Sequence, residues 1–235
     1  MELIMRFLFL IITIFAFVNA SVAIGVIEKA QGRVKVKSDG SIKKRKVKTG
    51  SKIMYGDLIL TSKRGSAVIH LEDGSNVVLS ANSSIYFKSQ TDAEQKSGKI
   101  YYKMASRDAK HALKIKTKFA IIGIKGTTFV IDSSKNGAVS LKEGLIGVSS
   151  IAEEFNLYRA KVLDEFASYM AQENAEFQQF QKDSGYEPPV KVKEFDLPAH
   201  KHLTFGIDRV NEDDWNEEDD ETFSVFESIL SGTHR

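Results

Sequence analysis

The stretch Thr117 to Ile131 reads T-K-F-A-I-I-G-I-K-G-T-T-F-V-I, and its reading decides the fold. Two apolar runs, Phe119 to Ile122 and Phe129 to Ile131, flank a short segment holding Gly123 and Gly126. β-Branched and aromatic residues pack well on a pleated surface, so each run suits a strand. Glycines three apart mark backbone that turns sharply or passes close to a neighbour. Thr127 and Thr128 can hydrogen-bond back to that backbone while tolerating extended geometry. A phosphate-cradling loop would need Lys-Ser/Thr after the second glycine and an amphipathic helix beyond it, and this segment has neither. The stretch reads as a buried bend joining two core strands.

Working outward, the same grammar covers Ile24 to Ser150. Val34-Lys35-Val36-Lys37 alternates strictly, and Ser38-Asp39-Gly40-Ser41 supplies a turn after it. Leu58 to Thr61 follows Tyr55-Gly56-Asp57, and Ala67 to Leu71 meets Asn76 to Leu79 across Glu72-Asp73-Gly74-Ser75. Asp-Gly between apolar runs is a strong hairpin mark. Further runs at Ile85 to Lys88, Lys99 to Lys103, Leu113 to Lys116, Ala138 to Leu141 and Ile146 to Ser149 bring the expectation to about ten short strands. The fold class is mainly β, with residues 24–150 as one all-β domain: a sandwich, a barrel or a solenoid-like winding.

The order of these residues carries a resemblance. It runs Gly25-Val26, Gly32-x-Val34-x-Val36, Gly50, and Gly56-Asp57-x-Ile59-x-Thr61. It continues through Ala67-x-x-x-Leu71-x-Asp73-Gly74-Ser75 and Gly98-x-Ile100. Then come Thr117-x-x-Ala120-x-x-Gly123-x-Lys125-Gly126-Thr127-x-Phe129-x-Ile131 and Val139-x-Leu141-x-Glu143-Gly144. Over nearly all of Ile24 to Ser150 the chain resembles the FecR domain, the periplasmic sensory module of cell-surface signalling regulators. In that family the module follows a cytoplasmic sigma-factor-binding domain and a membrane helix, and it senses the signalling domain of an outer-membrane transporter. Six residues precede the apolar N-terminal segment here, so the cytoplasmic part is expected to be missing. The resemblance then implies a non-catalytic binding or sensory module. Gly56, Asp57, Thr61, Asp73, Gly74, Gly123, Lys125, Gly126, Thr127, Phe129 and Gly144 are its signature, in structural roles.

The N-terminus has the layout of a secretory signal peptide over residues 1–23. Arg6 precedes the twelve-residue apolar run Phe7 to Val18, and Asn19-Ala20-Ser21-Val22-Ala23 offers cleavage after Ala20 or Ala23. Phe7 to Ile27, 21 residues without a charge, is also long enough to stay as a membrane anchor. Either way the remainder is expected outside the cytoplasm, periplasmic or secreted. The chain has no cysteine, which excludes disulfides, thiolate metal sites and thiol nucleophiles.

The formal net charge of +2 conceals a division. Ile24 to Ser150 holds 24 Lys+Arg against 10 Asp+Glu, whereas Ile151 to Arg235 holds 8 against 20. The acidic half is expected to lie against the basic half, or each half to meet an oppositely charged partner. Ser41 to Lys52 concentrates the positive charge in Lys43, Lys44, Arg45, Lys46 and Lys48. These are candidate contacts to a polyanionic surface or an acidic envelope protein, set against the plainer reading of a solvated lysine-rich edge that discourages strand-to-strand aggregation. Nucleic acid is not an expected partner of an exported protein.

After Ser150 the period changes. Phe155, Tyr158, Val162, Phe166, Tyr169, Phe177 and Phe180 follow a helical repeat, which predicts an amphipathic helix over residues 151–184, packed on the β-domain or on a second copy. Residues 185–210, with Pro188, Pro189 and Pro198, read as a linker with one or two extended pieces. His200 and His202 read as surface histidines. Residues 211–235 read as an acidic, partly disordered tail ending in a short helix. Its Phe223, Phe226 and Leu230 are candidates for docking in a partner's groove or on the chain's own domain. Five histidines lie scattered, at 70, 111, 200, 202 and 234, with no G-x-S-x-G or H-E-x-x-H. Neither catalysis nor a cofactor is expected.

Overall fold

Short apolar runs broken by glycine turns satisfy their backbone groups only by pairing with neighbouring strands. The computed structural model describes residues 23–106, 112–134, 136–159, 190–207 and 209–232. The chain begins with β1 (Ala23–Gln31), β2 (Val34–Lys37), β3 (Arg45–Lys46), β4 (Lys52–Met54), β5 (Leu58–Thr61), β6 (Ser66–Leu71) and β7 (Asn76–Leu79). It continues through β8 (Ser84–Phe87), β9 (Asp92–Ser97), β10 (Lys99–Lys103), β11 (Leu113–Lys116), β12 (Ile121–Ile124), β13 (Thr128–Asp132), β14 (Ala138–Glu143) and β15 (Leu145–Ser149). The last elements are β16 (Phe155–Arg159), β17 (Val190–Val192), β18 (Glu194–Pro198), β19 (Lys201–Phe205), β20 (Val210–Asp214) and α1 (Glu217–Ser231).

Among the described residues the strands form two sheets. The larger has eleven, in the order β17-β16-β20-β19-β14-β13-β10-β7-β6-β1-β4; the smaller has nine, β18-β15-β12-β11-β9-β8-β5-β2-β3. Strand order nearly follows chain order, so the polypeptide advances along one axis and crosses between sheets as it goes. The protein is mainly β, a sandwich built by winding. Inner faces close on one core that holds Ile27, Val36, Ile59, Ile69, Val77, Ile100, Tyr102, Ile122, Phe129, Leu141, Val148 and Leu203. At the β3/β4 end the pairing runs on past the strand ends, β2 with β3 in the smaller sheet and β1 with β4 in the larger. The Val47 N–H donates to Val34 O at 3.1 Å, and Gly50 N–H to Ile27 O at 2.8 Å.

The larger sheet is covered on its outer face as well. Val68, Val78, Tyr101 and Val130 point outward and pack against Phe223 and Phe226 of α1. This explains why Val77-Val78-Leu79 is apolar without alternation: successive residues face two different buried layers. Asn216 caps the helix, accepting from Glu218 N at 2.9 Å and Asp219 N at 3.2 Å, while Asp219 Oδ2 accepts from Asn216 N at 3.2 Å. The last turn has no basic residue of its own. Lys29 of β1 supplies that charge, donating from Nζ to the carbonyls of Leu230 and Ile229.

Several expectations are corrected. Among the described residues fifteen strands, not about ten, precede Ser150, because strands such as Arg45–Lys46 and Asp92–Ser97 carry no apolar run. Gly123 lies inside β12, and Phe119 in the turn before it, so the central bend is confined to Lys125–Thr127. Ser150 does not close a domain: β18 pairs with β15 and β19 with β14, so residues after 190 complete both sheets. The expected helix does not begin at residue 151. Residues 155–159 form β16, where Leu157 is buried at period two, and the expected helix beyond residue 159 lies outside the described residues. The expected linker contains β17, β18 and β19. The acidic block is ordered, because its first part pairs as β20 and its second opens α1, where the helix dipole favours carboxylates. The proposed signal peptide, residues 1–22 of it, lies outside the described residues.

Candidate binding surface

The basic hairpin forms one edge of the smaller sheet. Among the described residues β3 pairs only with β2, through Lys35↔Lys46 and Val36↔Arg45. Its base is fixed by Val47, which is buried in the core. Its turn is ordered by Ser41, whose Oγ accepts from Lys43 N at 3.2 Å, and by Asp39, whose Oδ1 accepts from Gly40 N at 3.0 Å. This geometry leaves Ile42 in solvent at 95% exposure. Lys43, Lys44, Lys46 and Lys48 are exposed and have no carboxylate partner among the described residues. Arg45 differs: its Nη2 lies 3.7 Å from Asp57 Oδ2, a carboxylate only 1% exposed. The hairpin therefore offers an exposed cationic edge whose four lysines have no carboxylate partner among the described residues.

Because the chain advances along one axis, the division of charge in sequence becomes a separation along the molecule. Residues 24–64 hold 12 Lys+Arg against 3 Asp+Glu, and residues 190–232 hold 4 against 12. The two halves share both sheets through β14–β19 and β15–β18, and α1 adds side-chain contacts between them. Lys142 Nζ reaches Glu227 Oε1 at 2.6 Å, and Lys29 holds the helix end.

The signature residues occupy turns and core. Gly56 has φ +85°, and Asp57 accepts from Met54 N at 3.0 Å. The Thr61 hydroxyl donates to Ser80 O at 2.6 Å and accepts from Ser83 N at 2.9 Å. Asp73 accepts from Ser75 N at 3.0 Å, beside Gly74 at φ +84°. Phe129 stacks on Tyr102, with centroids 4.8 Å apart. Gly144 has φ +92°, and a Cβ there would meet Thr127 Cγ2 at 2.6 Å. Lys125 is exposed at the bend. The Thr127 hydroxyl is buried without a protein partner, and Thr128 donates instead to Glu143 Oε2 at 3.1 Å, so neither side chain bonds back to the bend.

Phe223 and Phe226 are 1% and 2% exposed against the protein's own sheet, with Leu230 packed beside them. They pack here as a terminal helix on the chain's own domain. Sequence spacing missed one constellation. Ser140 Oγ lies 2.8 Å and Asp219 Oδ1 2.9 Å from His202 Nδ1, joining residues 62 and 17 positions apart. His202 is thus a bonded residue under α1, not a surface histidine. Both contacts use the same ring nitrogen, whereas a proton relay needs serine and carboxylate on opposite nitrogens. The group braces the start of α1 on β14 and β19. Two clefts open between the sheets. One of about 430 Å³ lies beside Ala23, Tyr55 and Phe87; another of about 610 Å³ lies beside Phe119, Phe155, Phe205 and Arg209.

Two crystal structures of a protein assigned as an anti-sigma factor from Parabacteroides distasonis, at 1.65 Å and 2.50 Å, resemble this chain with 14% identity and a TM-score of 0.47. The likeness covers 71% of this chain and 64% and 63% of theirs, less than two thirds of their length. A likeness this distant carries no statement about activity. No curated protein matches the chain. The family model described as FecR protein matches residues 57–147. That segment spans the middle of both sheets, from the buried Asp57 through the Gly126 bend to Gly147, and leaves the basic hairpin and α1 outside it. The chain carries a FecR domain.

Proposed function

We propose that this protein is an exported, non-catalytic FecR-like binding or sensory module of the cell envelope. It recognises an acidic protein or polyanionic surface through the basic hairpin, residues 41–52. The observation that carries this reading is an edge strand, anchored by the buried Val47, with four lysines that have no carboxylate partner among the described residues, next to the FecR domain. Long-range attraction of such a surface for negative partners is strong at low salt and screened over about 8 Å at physiological ionic strength. Support for a non-catalytic reading comes from the signature carboxylates, which hold turns, and from the shared nitrogen of His202. The acidic region acts as a brace. Among the described residues, the side chains of the basic half that α1 engages are Lys29 and Lys142.

The test compares the full chain with a Lys43→Glu, Lys44→Glu, Lys46→Glu variant for binding to polyglutamate and to solubilised envelope proteins. Each exposed lysine near a negative surface contributes on the order of 1 kcal/mol, so the variant is expected to bind more than about tenfold more weakly at low salt. Equal binding by both chains would remove the hairpin from the function.

A further inference from the structure

We infer that the basic hairpin, with Ile42, Lys43 and Lys44 at its crest and Lys46 and Lys48 along and beyond β3, docks on the surface of an anionic lipid bilayer. The inference rests on the reading of the hairpin as the recognition surface and names its partner. Three observations carry it.

The first is the crest itself. Ile42 is 95% exposed at the crest of the turn, and the Ser41 hydroxyl fixes the backbone that presents it. An aliphatic side chain held in water among cations gains by entering the boundary between headgroups and acyl chains, where its neighbours meet phosphates.

The second is the kind of cation. Recognition of one carboxylate or phosphate in fixed geometry favours arginine forks in a concave, partly desolvated site. Here the one guanidinium is engaged with Asp57, and the remaining four charges are lysines, point charges on flexible stems. Such a set suits a laterally mobile sheet of negative charge. Lys35, Lys37 and Lys52 extend it over the adjoining strands.

The third is location. Ala23 pairs with Met54, and the turn that follows Met54 touches the hairpin, since a Cβ at Gly56 would lie 3.0 Å from Asp39 Cβ. The hairpin turn thus shares one rim and one end of the sandwich with Ala23, five positions beyond the apolar run Phe7 to Val18. A chain that meets a membrane through that run approaches it with the hairpin foremost.

The absence of cysteine allows a direct test. Ile42→Cys in the full chain is labelled with a polarity-sensitive fluorophore, and Ile207→Cys, 104% exposed in the turn after β19 on the opposite rim, serves as the reference. Vesicles containing phosphatidylglycerol should shift the emission at position 42 to the blue, whereas pure phosphatidylcholine vesicles should not. Adding Lys43→Glu, Lys44→Glu and Lys46→Glu should raise the half-saturating lipid concentration about tenfold or more. Position 207 should stay silent. No shift at 42 with anionic vesicles, the same shift with phosphatidylcholine, or equal shifts at 42 and 207 would overturn the inference. Polyglutamate separates the two readings. A response to polyglutamate but not to vesicles removes the bilayer and leaves an acidic protein partner; silence towards both removes the hairpin as a recognition surface as well.

Discussion

At Gly126 the backbone sits at φ +91°, and a Cβ would lie 2.8 Å from Ser106 Cα, so any side chain there meets both backbone strain and a neighbour that cannot rotate away. Gly126→Ala should therefore lower unfolding stability by about 2 kcal/mol or more. At Gly123 the φ is ordinary and the nearest contact of an added Cβ is Gly147 O at 3.8 Å. Gly123→Ala should be neutral or stabilising by about 0.5 kcal/mol. Urea midpoints of the two variants check this contrast. Sequence spacing makes these glycines look alike, because it shows where a backbone is permissive and not whether the permission is used. Tyr101 gives a pH-dependent counterpart. Burial first, then the carboxylates of Glu227 and Glu143, push its phenol above the ordinary value of about 10. Burial alone does the same to Tyr102. Below pH about 10 both phenols are neutral, folded or unfolded, and their contribution is intact. Above it the unfolded chain ionises first, so stability falls as pH rises. Thermal unfolding between pH 9 and 11 should show this decline, and Tyr101→Phe should make it shallower.

The helix α1 depends on contacts that its own sequence does not contain. Its cap is local, but the cation at its C-terminus comes from Lys29, and its apolar stripe is buried by four strands. Phe223 lies edge-on to Tyr101 and Phe226 stacks on it, each with centroids 5.7 Å apart. Phe226→Ala should cost about 3 kcal/mol or more, and amide exchange should quicken in α1 before the inner strands respond. The β-domain was legible in sequence because Asp-Gly turns and alternating runs are local signals. The acidic block was not, since its order comes from pairing with β19 and from the dipole of the helix that follows. Residues 155–159 misled for a related reason. F-N-L-Y-R satisfies a period of two as well as the helical one, and strand partners on both sides decide between them.

Over the whole molecule, the family-matched middle and the two ends have separate characters. The middle is a winding whose named residues hold turns, so the sequence signature identifies a scaffold. The ends carry the charge, basic around β2 to β4 and acidic around β19, β20 and the start of α1. The lysine cluster was visible in sequence as a run, but its edge position and its exposed Ile42 required the fold. The Ser140, His202 and Asp219 group was invisible, because residues 62 positions apart meet only when β14 pairs with β19. The most direct test of the central claim, that the basic hairpin is the recognition surface, is the salt dependence of binding by the full chain to an acidic polymer. Affinity should fall steeply as salt rises, and the Lys43→Glu, Lys44→Glu, Lys46→Glu variant should bind weakly with a flatter dependence. Parallel slopes and equal affinities for the two chains would contradict it.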